Sequence, residues 1–403
     1  MLRCLAKTTS YHSPTDDLQL VAPRRMTLYI IVLLTFLTHI GYAGSRVAVS
    51  LFAVDQGATP FVVGTVVALY AALPAVLALP AGRMTDRLGV KIPLLFGTSG
   101  VFMALMLPFL WPALATLYFT APLLGISFMA FQLATQTLAG AIAVPSERAR
   151  NFSLISLGFA AANFTGPLLA GIMIDQIGHA RTFFVLAMPL IPAIVLAALG
   201  ARWIPDVHTK SESVGGGAID LLKIRLLRNT LIASGIISSA WDLYQFFMPI
   251  YGRAQGLSAT SIGAVLSAFA VAIILVRVVL PFALRRAGEA QLLTYAMFVA
   301  CAAYCLFPLF HSAWTLAAAS FLLGVGCGCG QPLSMTMVYN ASPRGRAGEA
   351  AGMRITVNQT THFMIPLLFG GLGSVAGLAA VFFTNAGCLV VGGYISLRNH
   401  ARR

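Results

Sequence analysis

Long apolar blocks recur along almost the whole chain. Each block has about 20 or more residues, the length that an α-helix needs to cross roughly 30 Å of hydrocarbon. Across the 403 residues, 58% are hydrophobic and only 9% are charged, and the mean hydropathy is +0.85. A soluble core could not absorb this much apolar surface. Because a helix satisfies its own backbone hydrogen bonds inside lipid, the pattern predicts an all-α membrane protein.

Breaks between the apolar blocks predict twelve transmembrane helices in two sets of six. The longest polar stretch after the N-terminal region separates the sets, and leucines beside Lys223, Arg225 and Arg228 predict a short amphipathic helix there on the membrane surface. The predicted segments are a cytoplasmic N-terminal tail (1–26), an N-terminal six-helix half (27–201), a cytoplasmic linker with the amphipathic helix (202–228), a C-terminal six-helix half (229–397) and a cytoplasmic tail (398–403).

Lys and Arg are distributed very unequally between the two sets of loops. With a cytoplasmic N-terminus, the outer loops carry only Arg181 and Arg253, while most other basic loop residues lie on the inner side. Because basic loops stay in the cytoplasm, both termini are predicted to be cytoplasmic. The basic residues that make up the net charge of +14 are scattered between apolar blocks. We therefore expect no nucleic-acid partner.

The sequence also repeats itself at one constant offset. Gly64 corresponds to Gly263 (263 − 64 = 199). The same offset relates Gln56-Gly57 to Gln255-Gly256, Leu123-Leu124-Gly125 to Leu322-Leu323-Gly324, and Pro167-Leu168-Leu169 to Pro366-Leu367-Leu368. This repeat predicts two pseudo-symmetric halves related by an axis along the membrane normal, an arrangement that suits alternating access around a central site.

The loop after the second predicted helix reads GRMTDRLGVK and resembles the signature loop of the major facilitator superfamily. Its characteristic residues here are Gly82, Asp86, Arg87, Gly89 and Lys91; the usual basic residue is replaced by Val90. The resemblance implies a bacterial twelve-helix transporter in which Asp86 latches the halves on the cytoplasmic side, against the start of helix eleven at 346–350. The alternative is that the basic residues of this loop only determine topology.

The fifth predicted helix contains a second motif, made of Gly158, Gly166, Pro167 and Gly171. It is similar to the Gly-Pro motif of the superfamily's proton-coupled antiporters, which kinks this helix and packs it closely against its neighbours. This similarity favours export. Against it, the arginine typical of helix four in such antiporters is missing, and Ala121 stands near its expected place.

Polar and charged side chains are rare inside the predicted spans, and each is a candidate for a substrate or proton pathway. The resemblance places helices one, four, seven and ten around a central cavity. The predicted pathway residues are Arg46, Asp242, Gln132, Gln136, Gln245, Trp241, His39, Arg277, Arg354, Asn358 and His362. For Arg277 and Arg354 the alternative is a structural role near the cytoplasmic surface. For His39 and His362 the alternative to a proton-pathway role is a hydrogen bond to a neighbouring helix.

Asp242 is the only carboxylate that we place well inside a predicted span. At the repeat offset it corresponds to Ala43, about one turn from Arg46, so acid and guanidinium are expected at similar depth. If they pair permanently, the pair is structural. If substrate or a conformational change separates them, the buried acid takes up a proton, which couples protons to transport.

These features predict a secondary active transporter of small organic solutes that works by proton-coupled efflux. The alternative is proton-coupled uptake of an organic anion such as a carboxylate, because three buried arginines face one aspartate. Neither a nucleotide-binding loop nor a nucleophile-base or metal-ligand cluster occurs in the sequence of the spans, so we expect no enzyme, cofactor or metal. The expected partners are the substrate, protons and the lipid of a bacterial inner membrane, in which the protein is expected to be a monomer.

Overall fold

The computed structural model describes residues 14–142, 148–199, 218–342 and 347–400. Within them, α-helix is the dominant regular structure, and two short 3-10 helices span Ala218–Lys223 and Phe307–Leu309. The α-helices are α1 (Pro14–Asp55), α2 (Pro60–Leu88), α3 (Lys91–Leu110), α4 (Leu114–Ile142), α5 (Arg148–Ile177), α6 (His179–Ala187), α7 (Leu190–Leu199), α8 (Arg225–Ala254), α9 (Ala259–Leu284), α10 (Glu289–Leu306), α11 (Ala313–Gly328), α12 (Gly330–Ala341), α13 (Ala347–Ala376) and α14 (Leu378–His400).

These helices correspond to the twelve predicted spans, because α6 with α7 forms the sixth and α11 with α12 forms the tenth. In the described residues, ten spans are long and apolar enough to cross a membrane by composition alone. The other two are α8 and α13, which carry more polar residues. Most of α8 is buried against other helices, so its polar residues face protein instead of lipid.

The two halves repeat the same local contacts. A Cβ on Gly125 would overlap the carbonyl oxygen of Tyr70, and a Cβ on Gly324 would overlap that of Phe269, which is the equivalent residue at the offset of 199. The equivalent turn residues Gly57 and Gly256 also have nearly the same φ, 79° and 77°. The predicted pseudo-symmetric halves are therefore present in the fold.

The starts of two segments can now be compared with the sequence-based expectation. Helix α1 begins at Pro14, about three and a half turns before residue 27. Its candidate membrane span, Met26–Asp55, begins close to the predicted start of the first span. In the predicted linker, Leu221 and Leu227 are buried in a small apolar cluster with Val338 and Ala350, so this part packs on protein. Residues 1–13, 200–217 and 401–403 lie outside the described part of the chain.

The halves meet mainly through α5 with α9, α2 with α13, and α1 with α8. Several of these contacts lie at the end of the bundle opposite the two termini. We call it the outer end; it holds the turns at 56–59, 178, 255–258 and 377. The wall of a central cavity lies between the same helices, below these turns.

Candidate functional site

A cavity of about 650 Å³ lies between the two halves. Residues of α1, α2, α4 and α5 line one side, and residues of α8, α9, α12 and α13 line the other. This volume suits a drug-sized molecule. Nine of the eleven predicted pathway residues line the cavity, namely His39, Arg46, Gln132, Gln136, Trp241, Asp242, Gln245, Arg277 and His362.

Asp242 of α8 is the buried acid of this cavity, with 1% of its side chain exposed. Nδ1 of His362, on α13, contacts the Asp242 carboxylate, and 30% of the histidine side chain remains accessible. Within the described residues no hydroxyl or backbone N–H donates a hydrogen bond to this carboxylate. The two titratable side chains, Asp242 of α8 and His362 of α13, are therefore in contact in the cavity wall.

Arg46 lines the same cavity but forms no ion pair with Asp242 among the described residues. The permanent pair that we considered from the sequence is therefore absent, and His362 is the observed partner of the acid. Arg46 and Asp242 thus line one cavity without pairing, and their expected similar depth stays a prediction. The Nε atom of Arg46 is buried and donates no hydrogen bond to the described part of the protein.

Arg277 of α9 is the second cationic side chain of the cavity wall. Its Nη1 atom donates a hydrogen bond to Oγ of Ser156 on α5 at 3.1 Å, so the guanidinium joins the two halves. Serine is a neutral acceptor. The charge of Arg277 is therefore not balanced by this contact.

Two predicted pathway residues are held away from the cavity. Nη2 of Arg354 donates to Oε1 of Gln331 at 2.5 Å and to Oγ of Ser334 at 2.9 Å, which ties α13 to α12. Asn358 accepts a hydrogen bond from Oγ of Ser234 at 3.3 Å. Neither residue is among those that line the cavity. The contacts of Arg354 support the structural alternative that the sequence left open for it.

An aromatic surface on the first half was missed from the sequence. The ring of Tyr42 stacks on Phe128 at a centroid distance of 3.9 Å, and the His39 ring meets Phe159 edge-on at 5.1 Å. All four residues line the cavity. The available signal was the spacing of four residues from Tyr42 to Arg46, which places both on one face of the same helix.

The glycines of the helix-five motif are sites of close helix packing. A Cβ on Gly158 would lie 3.1 Å from the carbonyl oxygen of Val32, and one on Gly166 would lie 2.8 Å from that of Ile40, so α5 packs tightly on α1. Gly171 similarly allows close approach of Ala259 on α9. Pro167 lies inside α5 between these contacts. The close packing that the motif predicts is thus present; its relation to export stays a prediction.

At the outer end, each half caps a helix of the other half. The two carboxylate oxygens of Asp175, on α5, accept hydrogen bonds from the backbone N–H groups of Ala259 (3.1 Å) and Thr260 (2.7 Å) at the start of α9. Oγ of Ser374, on α13, accepts from the backbone N–H of Phe61 at the start of α2 (3.0 Å). Both contacts satisfy N–H groups that have no partner within their own helix.

An ion pair between the halves adds to these caps. Oδ1 of Asp55, at the end of α1, lies 2.9 Å from Nη2 of Arg253 at the end of α8. The other oxygen of Asp55 lies 2.6 Å from Nε2 of His179. With the caps, this pair joins the two halves at the outer end.

The predicted gating loop is only partly described. Helix α2 continues to Leu88, Gly89 ends it with a φ of 75°, and Lys91 begins α3. Glycine adopts this positive φ at little cost because it has no Cβ, which agrees with the turn predicted at Gly89. The structure does not describe the side chains of residues 82–88 or of the predicted partner segment 346–349. The role of Gly82, Asp86 and Arg87 in a latch therefore stays a prediction.

Comparisons with known proteins identify the family. The family model of the Major Facilitator Superfamily matches residues 31–360 and 230–402. A class D tetracycline resistance protein of Salmonella ordonez is 26% identical over 325 residues (76% of this chain, 78% of the relative). The multidrug resistance protein MdtG of Citrobacter koseri is 26% identical over 337 residues (80% of each chain).

Solved structures give the same fold at lower identity. A POT family transporter in complex with a thioalcohol-conjugated peptide has a TM-score of 0.80 at 13% identity, covering 94% of this chain and 96% of that one. A nucleoside transporter, NupG, has a TM-score of 0.79 at 12% identity, covering 92% and 99%. With the family match and the apolar helices, these comparisons lead to one conclusion: the chain belongs to the major facilitator superfamily and is a multi-pass membrane transporter of small molecules.

Proposed function

We propose that this protein is a secondary active exporter that exchanges small organic solutes for protons by alternating access. The proposal rests mainly on the environment of Asp242. It is a buried carboxylate in the cavity wall, contacted by His362 of another helix. A charged carboxylate is costly at membrane depth, whereas its protonated form is not, so movement of the surrounding helices controls proton uptake and release.

The transport cycle follows from the contacts between the halves. With the outer end closed by Asp175, Ser374 and the Asp55–Arg253 pair, solute enters the cavity from the side of the termini. Opening of the outer end breaks these contacts and exposes the cavity to the outside. Protonation of Asp242 there releases it from His362, and the return step carries the proton inward.

Export is the proposed direction because the two bacterial relatives are named for tetracycline resistance and multidrug resistance. Their coverage of roughly four-fifths of the chain includes both halves. The close packing around Gly166 and Gly171 on α5 also agrees with the antiporter-like motif. Uptake of an organic anion has no comparable support.

The proposed location is a bacterial inner membrane, with a monomer whose termini both face the cytoplasm. Support comes from the loops, in which Lys and Arg concentrate on the side of the termini. On that side, Asp86 is proposed to latch the halves when the cavity opens outward. A reporter enzyme that is active only in the cytoplasm, fused after Arg403, tests the orientation; an inactive fusion with normal expression contradicts it.

Asp242→Asn tests proton coupling in proteoliposomes loaded with tetracycline, which one relative is named for. We expect the unmodified protein to drive efflux under an inward proton gradient, and the variant to lose this flux while retaining tetracycline exchange at equal pH on both sides. Exchange needs binding and alternating access but no net proton movement. Asp220→Asn is the matched control, because Asp220 is an exposed carboxylate that pairs with Lys223.

Two results would contradict the proposal. The first is proton-driven efflux by Asp242→Asn at the rate of the unmodified protein. The second is a flux by the unmodified protein that does not change when the proton gradient is collapsed. If tetracycline is not carried, the same comparison is made with 2-naphthoate, an aromatic anion.

A further inference from the structure

The wall of the cavity holds more positive than negative charge. Arg46 and Arg277 line it, and Asp242 is the acidic residue among its lining residues. His362 contacts that carboxylate, so neither guanidinium has a carboxylate partner within the described ion pairs. A negatively charged group that enters the cavity therefore meets a favourable potential.

Arg46 has hydrogen-bonding capacity that the protein does not use. Its Nε atom is buried and donates to no described residue, whereas Arg277 already donates to Ser156. A buried donor without an acceptor destabilises its site. A carboxylate or phosphonate offers two oxygens that match the planar guanidinium fork. Of the two arginines, Arg46 is therefore the better-placed receptor for an anion.

The aromatic surface described above lies one helical turn from this guanidinium, and its rings offer both faces and edges. Tyr42 precedes Arg46 by four residues on α1, and its ring is nearly parallel to that of Phe128, with an interplanar angle of 11°. Phe159 and His39 extend the surface, and all four rings line the cavity. Such surfaces bind the faces and edges of aromatic ligands through apolar contact and ring stacking.

These observations, which rest on the proposed function, define the substrate class of the same cavity. We infer that the transported solutes are amphiphilic aromatic anions whose ring system lies against Tyr42 and Phe128 and whose carboxylate or phosphonate accepts hydrogen bonds from Arg46. Lipophilic cations are disfavoured, because Asp242 is engaged by His362 and both guanidiniums repel a positive charge. The volume of about 650 Å³ accommodates a solute of several fused rings.

Three ligands that share a naphthalene ring and differ in charge test the inference. They are 2-naphthoate, the neutral 2-naphthylmethanol and the cation (2-naphthylmethyl)trimethylammonium. Equilibrium binding is measured by calorimetry on the purified full-length protein in detergent. We expect 2-naphthoate to bind about tenfold or more tightly than the other two, as a charge-assisted hydrogen bond would give.

Variants then assign the preference to Arg46. Arg46→Gln is expected to reduce naphthoate affinity about tenfold and to leave the neutral ligand within about twofold, and Arg46→Lys to retain part of the preference. Arg181→Gln removes an exposed arginine outside the cavity and should change nothing. Tyr42→Leu should weaken all three ligands, because the ring surface is shared. Thermal unfolding establishes that each variant is folded.

Tighter binding of the cation than of naphthoate by the unmodified protein would overturn the inference, and this measurement needs no variant. Equal naphthoate affinity in Arg46→Gln and the unmodified protein would also overturn it, as would the absence of naphthoate binding up to roughly 1 mM. The binding experiment contains no membrane and no gradient. A failure of proton coupling in Asp242→Asn therefore leaves its result unaffected, and the two failures are distinguishable.

Discussion

Asp175 and Ser374 occupy equivalent positions in the two halves, 199 residues apart, and each caps the first turn of a helix in the opposite half. The backbone N–H groups that donate to these two side chains belong to Thr260 and Phe61, which are also 199 residues apart. The internal repeat thus extends to contacts between the halves. One cap uses a carboxylate and the other a hydroxyl, so the Asp175 cap is the stronger one.

Asp175→Ala is predicted to weaken closure of the outer end. Loss of a helix cap costs about 1–2 kcal/mol, which corresponds to a five- to thirtyfold shift toward the outward-open state. Ser374→Ala should act in the same direction but less strongly. Distances between spin labels at positions 56 and 255, in a background without native cysteines, report the shift. Asp175→Asn keeps one of the two acceptor oxygens, so its effect should be smaller than that of Asp175→Ala; an equal effect of Asn and Ala would argue against a capping role.

Asp55→Asn is predicted to have a smaller effect on the same distance. The ion pair with Arg253 is partly exposed, with 44% of the arginine and 28% of the aspartate side chain accessible. Pairs of this kind contribute about 0.2–1 kcal/mol and are weakened by salt. We expect high salt to reproduce most of the effect in the unmodified protein and to add little in Asp55→Asn. A larger shift than that of Asp175→Ala would show that the pair dominates closure.

Gly64→Ala and Gly263→Ala are predicted to impair closure from equivalent positions. A Cβ on Gly263 would lie 2.5 Å from the carbonyl oxygen of Pro167, and one on Gly64 would overlap that of Pro366. Such overlap costs about 1–3 kcal/mol in the outward-closed state. We expect exchange of a bound solute to fall about tenfold or more at the upper end of this range.

The control for these substitutions is Gly387→Ala. Gly387 lies inside α14 with open space around the position of a Cβ, so alanine should preserve transport and raise helix stability by up to about 1 kcal/mol. Thermal unfolding of all three variants separates loss of the fold from loss of closure. Normal exchange in both Gly64→Ala and Gly263→Ala would contradict the requirement for close approach of the halves.

Arg354→Ala is predicted to lower stability without changing ligand affinity. Its guanidinium bonds to Gln331 and Ser334, and their loss leaves buried polar groups unpaired at a cost of about 1–3 kcal/mol. Thermal unfolding and naphthoate binding to the folded fraction measure the two effects. Arg46→Gln should show the opposite result, with affinity lost and stability kept. Loss of affinity at normal stability in Arg354→Ala would place Arg354 in the binding site.

Much of the fold was predictable because lipid imposes a simple rule. Helices have to satisfy their own backbone groups and must be long enough to span the bilayer, so ten spans can be located from length and apolar composition. The breaks between blocks and the internal repeat indicated the other two, α8 and α13. The repeat offset identified Gly64 with Gly263 and Pro167 with Pro366, and in the structure these residues contact one another across the two halves. The contact of Gly64 with Pro366 and that of Gly263 with Pro167 are thus related by the same offset, although the sequence did not predict these contacts.

The candidate site was predictable only in part. Rarity inside apolar spans selected Arg46 and Asp242, and both line the cavity, since an ionisable group at that depth faces protein or a cavity. The same criterion could not separate them from Arg354, because rarity carries no information on which helix face packs against a neighbour. It also passed over Tyr42, since an aromatic residue is unremarkable in an apolar span.

The sequence by itself determined the helical class, the number of spans and the relation between the halves, because each depends on local length, composition and repetition. Tertiary structure decided the partners. His362 lies 120 residues from Asp242 in the chain, and only the packing of α13 against α8 brings its ring to the carboxylate. Likewise, only the packing of α12 against α13 occupies the guanidinium of Arg354, while the cavity beside α1 leaves that of Arg46 available to a ligand.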